Sequence, residues 1–300
     1  MQRIKAITTG SLPTFVEFSQ NFGASSVNED NFVAQLMNND KKVVFAGDDT
    51  WDGLFPGGFH RSYFYSSLDV ADLDTVDFGV YQQVPSEIVN KTDWSLLIGH
   101  MLGVDHCSHT FGSLTPHIGR KLTEIDDFID KVINLVDSDT IVLAFGDHGM
   151  TISGDHGGES EHETDVALYV YAPKGFSSPD RKNDFRLNQI DLTSSIPLLL
   201  GAPIPFNSLG TPITEIFYFE ESNHVREYQI LSTAYRQIIQ YLTAYSKSVS
   251  TSGGGFNLDA FSIRESDLDS TRKIRNFIES VRKTCRSHSS KIIPHPHPDA

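Results

Sequence analysis

The sequence predicts an α/β fold, a mostly parallel sheet sandwiched by helices, with a helical C-terminal appendage. Two observations predict it. Four short apolar runs of strand length alternate with segments of helical spacing. Such alternation covers both faces of a sheet and makes its strands parallel. Three of the four runs end in polar clusters, at the strand ends where sheets of this kind bind ligands.

Ile4 and Ile7 sit at helical spacing, and Gly10 is placed to end a first helix. Phe32, Val33 and Leu36 mark a short amphipathic helix over 28–38. Residues 42–47 (KVVFAG) read as a buried strand ending at Asp48-Asp49-Thr50-Trp51. Residues 94–100 (WSLLIGH) read as a second strand, opening onto Gly103 to His109. A helix is expected over 116–136, with Ile118, Leu122, Ile125, Ile129, Val132, Ile133 and Val136 as its apolar stripe. Residues 140–145 (TIVLAF) and 167–172 (ALYVYA) supply the third and fourth strands, and residues 191–201 a further helix. With these elements in one sheet, Asp48, Asp105 and Asp147 are expected on the same edge.

After Pro205 the character changes. Two helices are expected over 225–247 and 266–286, with a Ser/Gly linker from Ser248 to Gly255 between them. The end, Pro294 to Pro298, has no capacity for helix. The expected division is therefore a catalytic domain over 1–213 and a helical appendage with a disordered tail over 214–300.

Acidic residues number 39 against 24 basic ones, a net charge of -15. That balance repels nucleic acid and anionic lipid headgroups. An anionic substrate then needs a local source of positive charge, and bound metal is one. No apolar run approaches the ~18 residues of a membrane span. Cys107 and Cys285 are too few for a disulfide framework. Asn90-Lys91-Thr92 is an N-glycosylation sequon.

Two clusters carry the chemistry. Asp105-His106-Cys107-Ser108-His109 contains Asp-x-x-x-His, and Gly146-Asp147-His148-Gly149-Met150 is followed by His156. Asp and His also serve as loop anchors after strands. Carboxylate and imidazole together, however, are zinc ligands. Five of them, Asp105, His109, Asp147, His148 and His156, exceed one tetrahedral site and suit two metals clamping a phosphoryl group. His100 reads as a strand-end core residue, His106 and His162 as neighbours of the ligands, and Cys107 as packing.

These words resemble the metal pattern of the alkaline phosphatase superfamily in its phosphodiesterase branch. Thr8 to Phe15, Gly47 to Trp51, Leu54-Phe55-Pro56, Gly103 to Cys107 and Gly154 to Gly158 narrow the resemblance to the GPI ethanolamine phosphate transferases. The resemblance runs from Met1 to about Ile213. It implies that phosphoethanolamine moves from phosphatidylethanolamine to a mannose of the GPI precursor. It also implies the lumenal face of the endoplasmic reticulum membrane, and a small membrane-embedded stabilising subunit for the full-length enzyme. Asp105, His109 and His156 would bind one Zn2+, and Asp147 and His148 the other. Asp49 and Trp51, at a strand end, are the candidates for partnering the ethanolamine ammonium, the alternative being that they are structural turn residues. The nucleophilic Thr is expected upstream of Met1, since Thr8 and Thr9 match positions further along the helix. The chain is thus expected to be truncated, to hold about one zinc, and to be inactive alone. The alternatives are a zinc phosphodiesterase of the same superfamily using water as acceptor, or an inactive metal-binding fragment.

Overall fold

The computed structural model describes residues 2–11, 26–90, 93–176, 186–217, 224–251 and 270–288. The chain forms two compact units. One comprises residues 24–26 and 40–175; the other comprises 1–23, 27–39 and 176–300. The expected boundary at 213/214 does not coincide with this division.

The unit of residues 40–175 holds both ligand clusters. Its elements are β1 (Val43–Asp48), α3 (Thr50–Leu54), β2 (Arg61–Tyr65), α4 (Thr75–Asn90), β3 (Leu96–His100), α5 (Gly103–Phe111), α6 (Pro116–Leu135), β4 (Val142–Phe145), α7 (Glu161–Thr164) and β5 (Leu168–Tyr171). The first three strands form a parallel sheet in the order β2-β1-β3. Every residue of the central β1 is buried, as a strand covered on both faces requires. Ala46 packs with Val80 and Val84 of α4 and Val132 of α6.

The α/β class with a mostly parallel sheet holds, but not all four expected strands join one sheet. β4 pairs antiparallel with β5 in a separate two-stranded sheet. The reason is local, since the chain leaving β4 returns after α7 and pairs back along it. Val142 still packs against the core of the first sheet. Asp147 therefore follows a strand of the second sheet, not the sheet that Asp48 ends, and the expected common edge is corrected.

The strand β2 and the helices α3, α4, α5 and α7 went unread. β2 begins Arg61-Ser62 and is not an apolar run, and α4 carries Gly79 and Pro85, residues that read against a helix. The α6 stripe is also corrected at one place. Leu122 is exposed, while Lys121 is buried.

The other unit contains α1 (Gln2–Thr9), α2 (Phe32–Asn38), α8 (Ile190–Leu199), a 3-10 turn (Thr214–Phe217), α9 (His224–Thr251) and α10 (Thr271–His288). The two C-terminal helices are no detached appendage. Leu231, Ile238, Leu242, Ile274, Ile278 and Val281 share one core with Ala6, Ile190, Ile204 and Leu209. Arg282 of α10 is buried against Asp191 of α8, and its Nε donates to the Leu209 carbonyl at 2.6 Å. Ser248 to Thr251 continue α9 instead of starting a linker. The rest of that stretch, the Pro294–Pro298 end and Thr92 of the sequon lie outside the described residues; Asn90 is exposed. Among the described residues no helix is long and apolar enough to cross a membrane.

Candidate metal centre

Asp-x-x-x-His is one turn of helix. The structure places Asp105 and His109 on α5, at i and i+4, so both side chains leave the same face. The start of α5 is fixed from beneath. Asp77 of α4 accepts the Leu102 and Gly103 amides at 2.9 Å each, capping donors that the helix leaves unpaired. A Cβ at Gly103 would stand 2.1 Å from Asp77 Oδ2, so only glycine allows this cap. Burial pushes the Asp77 carboxyl up, against the two amides and the nearby Lys121. The Lys121 ammonium lies 2.6 Å from Asp74 and 3.5 Å from Asp77.

His148 and His156 come from the loop after β4. The Gly149 amide donates to the Glu163 carbonyl at 2.9 Å, and Glu163 Oε1 accepts the Gly158 amide at 2.7 Å. Ser113 ties the loop to the end of α5 through its amide and the Ile152 carbonyl at 3.1 Å. His148 Nδ1 lies 3.0 Å from the Gly149 carbonyl, which sets the tautomer and leaves Nε2 as the ligating nitrogen.

The side chains meet at Asp105. Its Oδ1 is 3.4 Å from His156 Nε2 and 3.8 Å from His148 Nε2, and its Oδ2 is 3.5 Å from His109 Nε2. Asp147 Oδ2 is 3.6 Å from His148 Nε2. The His148 and His156 rings stack at 4.0 Å. Ligand atoms of Asp105, His109 and His156 all lie within 4.8 Å of one another. A tetrahedral ion with bonds of roughly 2.0–2.1 Å holds its ligands roughly 3.3–3.4 Å apart, close to two of these spacings.

Asp105 Oδ1 is buried and has no hydrogen-bond partner. An unpartnered carboxylate oxygen facing two imidazole nitrogens is costly as it stands and is satisfied by a cation. The donor set therefore fits a metal. Burial and the neighbouring His148 hold His156 below its ordinary pKa, which favours the neutral, ligating imidazole at pH 7.

The other candidates fall elsewhere. Trp51 is buried among Phe45, Phe55 and Phe59. Asp49 Oδ1 accepts from the Ser67 amide and hydroxyl at 3.2 and 2.6 Å. The structure brings neither into the Asp105 cluster. His106 is buried, with Nδ1 3.0 Å from the Asp72 carbonyl, and His162 is exposed on α7. Cys107 is buried, and burial pushes its thiol up, away from the ligating thiolate. In the other unit, the Thr8 and Thr9 hydroxyls donate to the Ile4 and Lys5 carbonyls at 2.8 Å each. Sequence reading missed the supports of the centre, Asp77, Lys121 and Glu163. Nothing in composition or periodicity marks a carboxylate that caps a distant helix.

Residues 23–167 match the family model described as Type I phosphodiesterase / nucleotide pyrophosphatase. With the parallel sheet, this defines the class: an alkaline phosphatase-like phosphodiesterase fold carrying a candidate metal centre. The relatives are narrower. The chain is 40% identical over 252 residues to "GPI ethanolamine phosphate transferase 3, catalytic subunit" of Homo sapiens, covering 82% of this chain and 23% of that protein. It is 43% identical over 228 residues to GPI ethanolamine phosphate transferase 3 of Saccharomyces cerevisiae, covering 72% of this chain and 22% of that protein. A GPI ethanolamine phosphate transferase 2, from Aspergillus oryzae, is 37% identical over 238 residues, covering 72% of this chain and 28% of that protein. These matches place the chain among the relatives of the GPI ethanolamine phosphate transferases. The aligned part spans about a quarter of the length of the curated relatives.

Proposed function

We propose that the chain is the metal-holding part of a phosphoethanolamine transferase of GPI-anchor biosynthesis. The observation that carries this reading is the convergence of Asp105, His109 and His156 within a stretch similar to those transferases. The proposed donor is phosphatidylethanolamine and the acceptor a mannose hydroxyl of the GPI precursor, at the lumenal face of the endoplasmic reticulum membrane. The exposed Asn90 suits a lumenal position.

In this reading Asp105, His109 and His156 hold one zinc, and Asp147 and His148 contribute to a second. Bound zinc supplies a lowered hydroxyl pKa and neutralises charge on the phosphoryl oxygens. The chain's own residues do the positioning. α5 presents Asp105 and His109 on one face, and His148 is held in its ligating tautomer by the Gly149 carbonyl. Asp49 and Trp51 are proposed as partners of the ammonium. The Thr8 and Thr9 hydroxyls donate to the backbone of α1, which supports a nucleophile other than these two. We assign the nucleophile to a threonine outside these 300 residues, and a small membrane subunit is proposed for the full-length enzyme.

The family description also favours a second reading, a phosphodiesterase with water as acceptor. One experiment separates the two. Cells in which the gene for this chain is disrupted should accumulate GPI precursors one phosphoethanolamine short, as read by mass spectrometry. The intact gene should restore them, and a gene carrying Asp105→Asn should not. Unchanged precursors would contradict the transferase reading.

A further inference from the structure

β1 and β3 are neighbours in register, Gly47 opposite His100, and they finish side by side on Asp48 and His100. Asp48 is buried, where a carboxylate is stable only with partners. Its Oδ2 is bonded to His100 Nδ1, and its Oδ1 accepts the Thr50 amide at 3.0 Å. The Trp51 indole N–H donates to the same His100 nitrogen at 3.2 Å, and the two rings are 5.8 Å apart. One edge of the imidazole is thus fully engaged. Burial opposes charge on His100, but the Asp48 bond and charge outweigh it and hold the ring above its ordinary pKa. The Asp147 carboxylate, at the metal centre, acts on His100 in the same direction. Among the described residues nothing is hydrogen-bonded to His100 Nε2, and the side chain is 19% exposed. From His100 the chain runs through Met101 and Leu102 directly into α5, which carries Asp105 and His109.

We propose that His100 is an anion-binding residue of the metal centre, its Nε2–H donating to a phosphoryl oxygen of the substrate, with Asp48 as the residue that positions it. The proposal rests on reading the centre as a phosphoryl-transfer site. An imidazole locked by a buried carboxylate does what the metal ligands cannot. It gives a proton-bearing donor to an oxygen whose charge grows in the reaction, with no reorganisation when the substrate arrives. Asp48 holds the Nδ1 proton, so Nε2 is presented outward in one orientation. Five residues hold metal, and this dyad, built on the sheet instead of on α5, holds the anion.

The probe is inorganic phosphate, titrated into the zinc-loaded chain by calorimetry. His100→Gln should keep the wild-type zinc stoichiometry and bind phosphate about ten- to a hundredfold more weakly, the loss of one charge-assisted hydrogen bond. Asp48→Asn should fall between. A second readout needs no variant: the 15N resonance of His100 Nε2 in the wild-type chain should move on adding phosphate, while Nδ1 moves little. Equal phosphate affinity in His100→Gln, or an Nε2 resonance that does not respond, overturns the proposal. A wild-type chain that takes up zinc but no phosphate also overturns it and leaves the metal reading standing. A wild-type chain that takes up no zinc overturns both.

Discussion

Gly154 lies against the carbonyl of Ser108, at a distance that no side chain permits. A Cβ there would stand 1.9 Å from the Ser108 oxygen, and the residue has φ +91°. This close approach lays the loop that carries His156 on the helix that carries Asp105 and His109. Gly154→Ala should therefore loosen the centre. Overpacking costs of about 1–3 kcal/mol translate to a roughly 5- to 150-fold loss of zinc affinity. Competition against a chromophoric chelator measures it. Unchanged affinity would mean that the loop reaches α5 without that contact.

Lys121 and Asp77 hold the start of α5 from beneath. Removing one partner of such a buried pair costs about 3–5 kcal/mol. Lys121→Met should destabilise the unit by that order near pH 7, read from urea unfolding followed by tryptophan fluorescence. The loss should shrink in acid. Burial raises the folded-state pKa of Asp77 above its unfolded value of about 3.9, so in the variant stability falls as pH rises through that range. A pH-independent loss would contradict this account.

The dyad of Asp48 and His100 has its own pH signature. The Asp48 pKa is lowered, because the His100 and Thr50 bonds outweigh its burial, so its contribution is present above about 3.9 and is lost in acid. The His100 pKa is raised, so its contribution is complete below about 6.5 and is lost as pH rises through the folded value. The coupling between Asp48→Asn and His100→Gln in a double-mutant cycle should therefore be largest between about pH 4 and 6.5. It should decline toward pH 9. A coupling that grows with pH would be inconsistent with the pair.

In the other unit, Arg282→Leu leaves Asp191 buried without its guanidinium. A loss of about 3–5 kcal/mol is expected. Amide hydrogen exchange across α8 and α10 should report it. Faster exchange in α10 alone would show that this helix does not share stability with α8.

Four strands were legible in the sequence because each carries a local signal, and the candidate ligands carry one too. Residues 43–47 form a continuous apolar run, and Asp105 and His109 sit one helical turn apart. What escaped depends on distant partners. β2, with Arg61 and Ser62, is recognisable only once β1 lies beside it. Lys121 occupies a buried position on α6 because Asp74 and Asp77 wait there, and no periodicity reveals that. The pairing of β4 with β5 instead of with the first sheet turns on how the chain returns after α7. His100 reads as core in a strand-end run, and only its contact with Asp48, 52 residues away, marks it as more.

The most direct test of the metal centre is zinc binding by the purified chain. Elemental analysis and zinc-edge absorption should show about one tightly held zinc, bound by two imidazoles and a carboxylate. That zinc should be lost in Asp105→Asn and in His156→Ala, and retained in His106→Ala. A chain that holds no stoichiometric zinc, or holds it equally well without Asp105, would contradict the account.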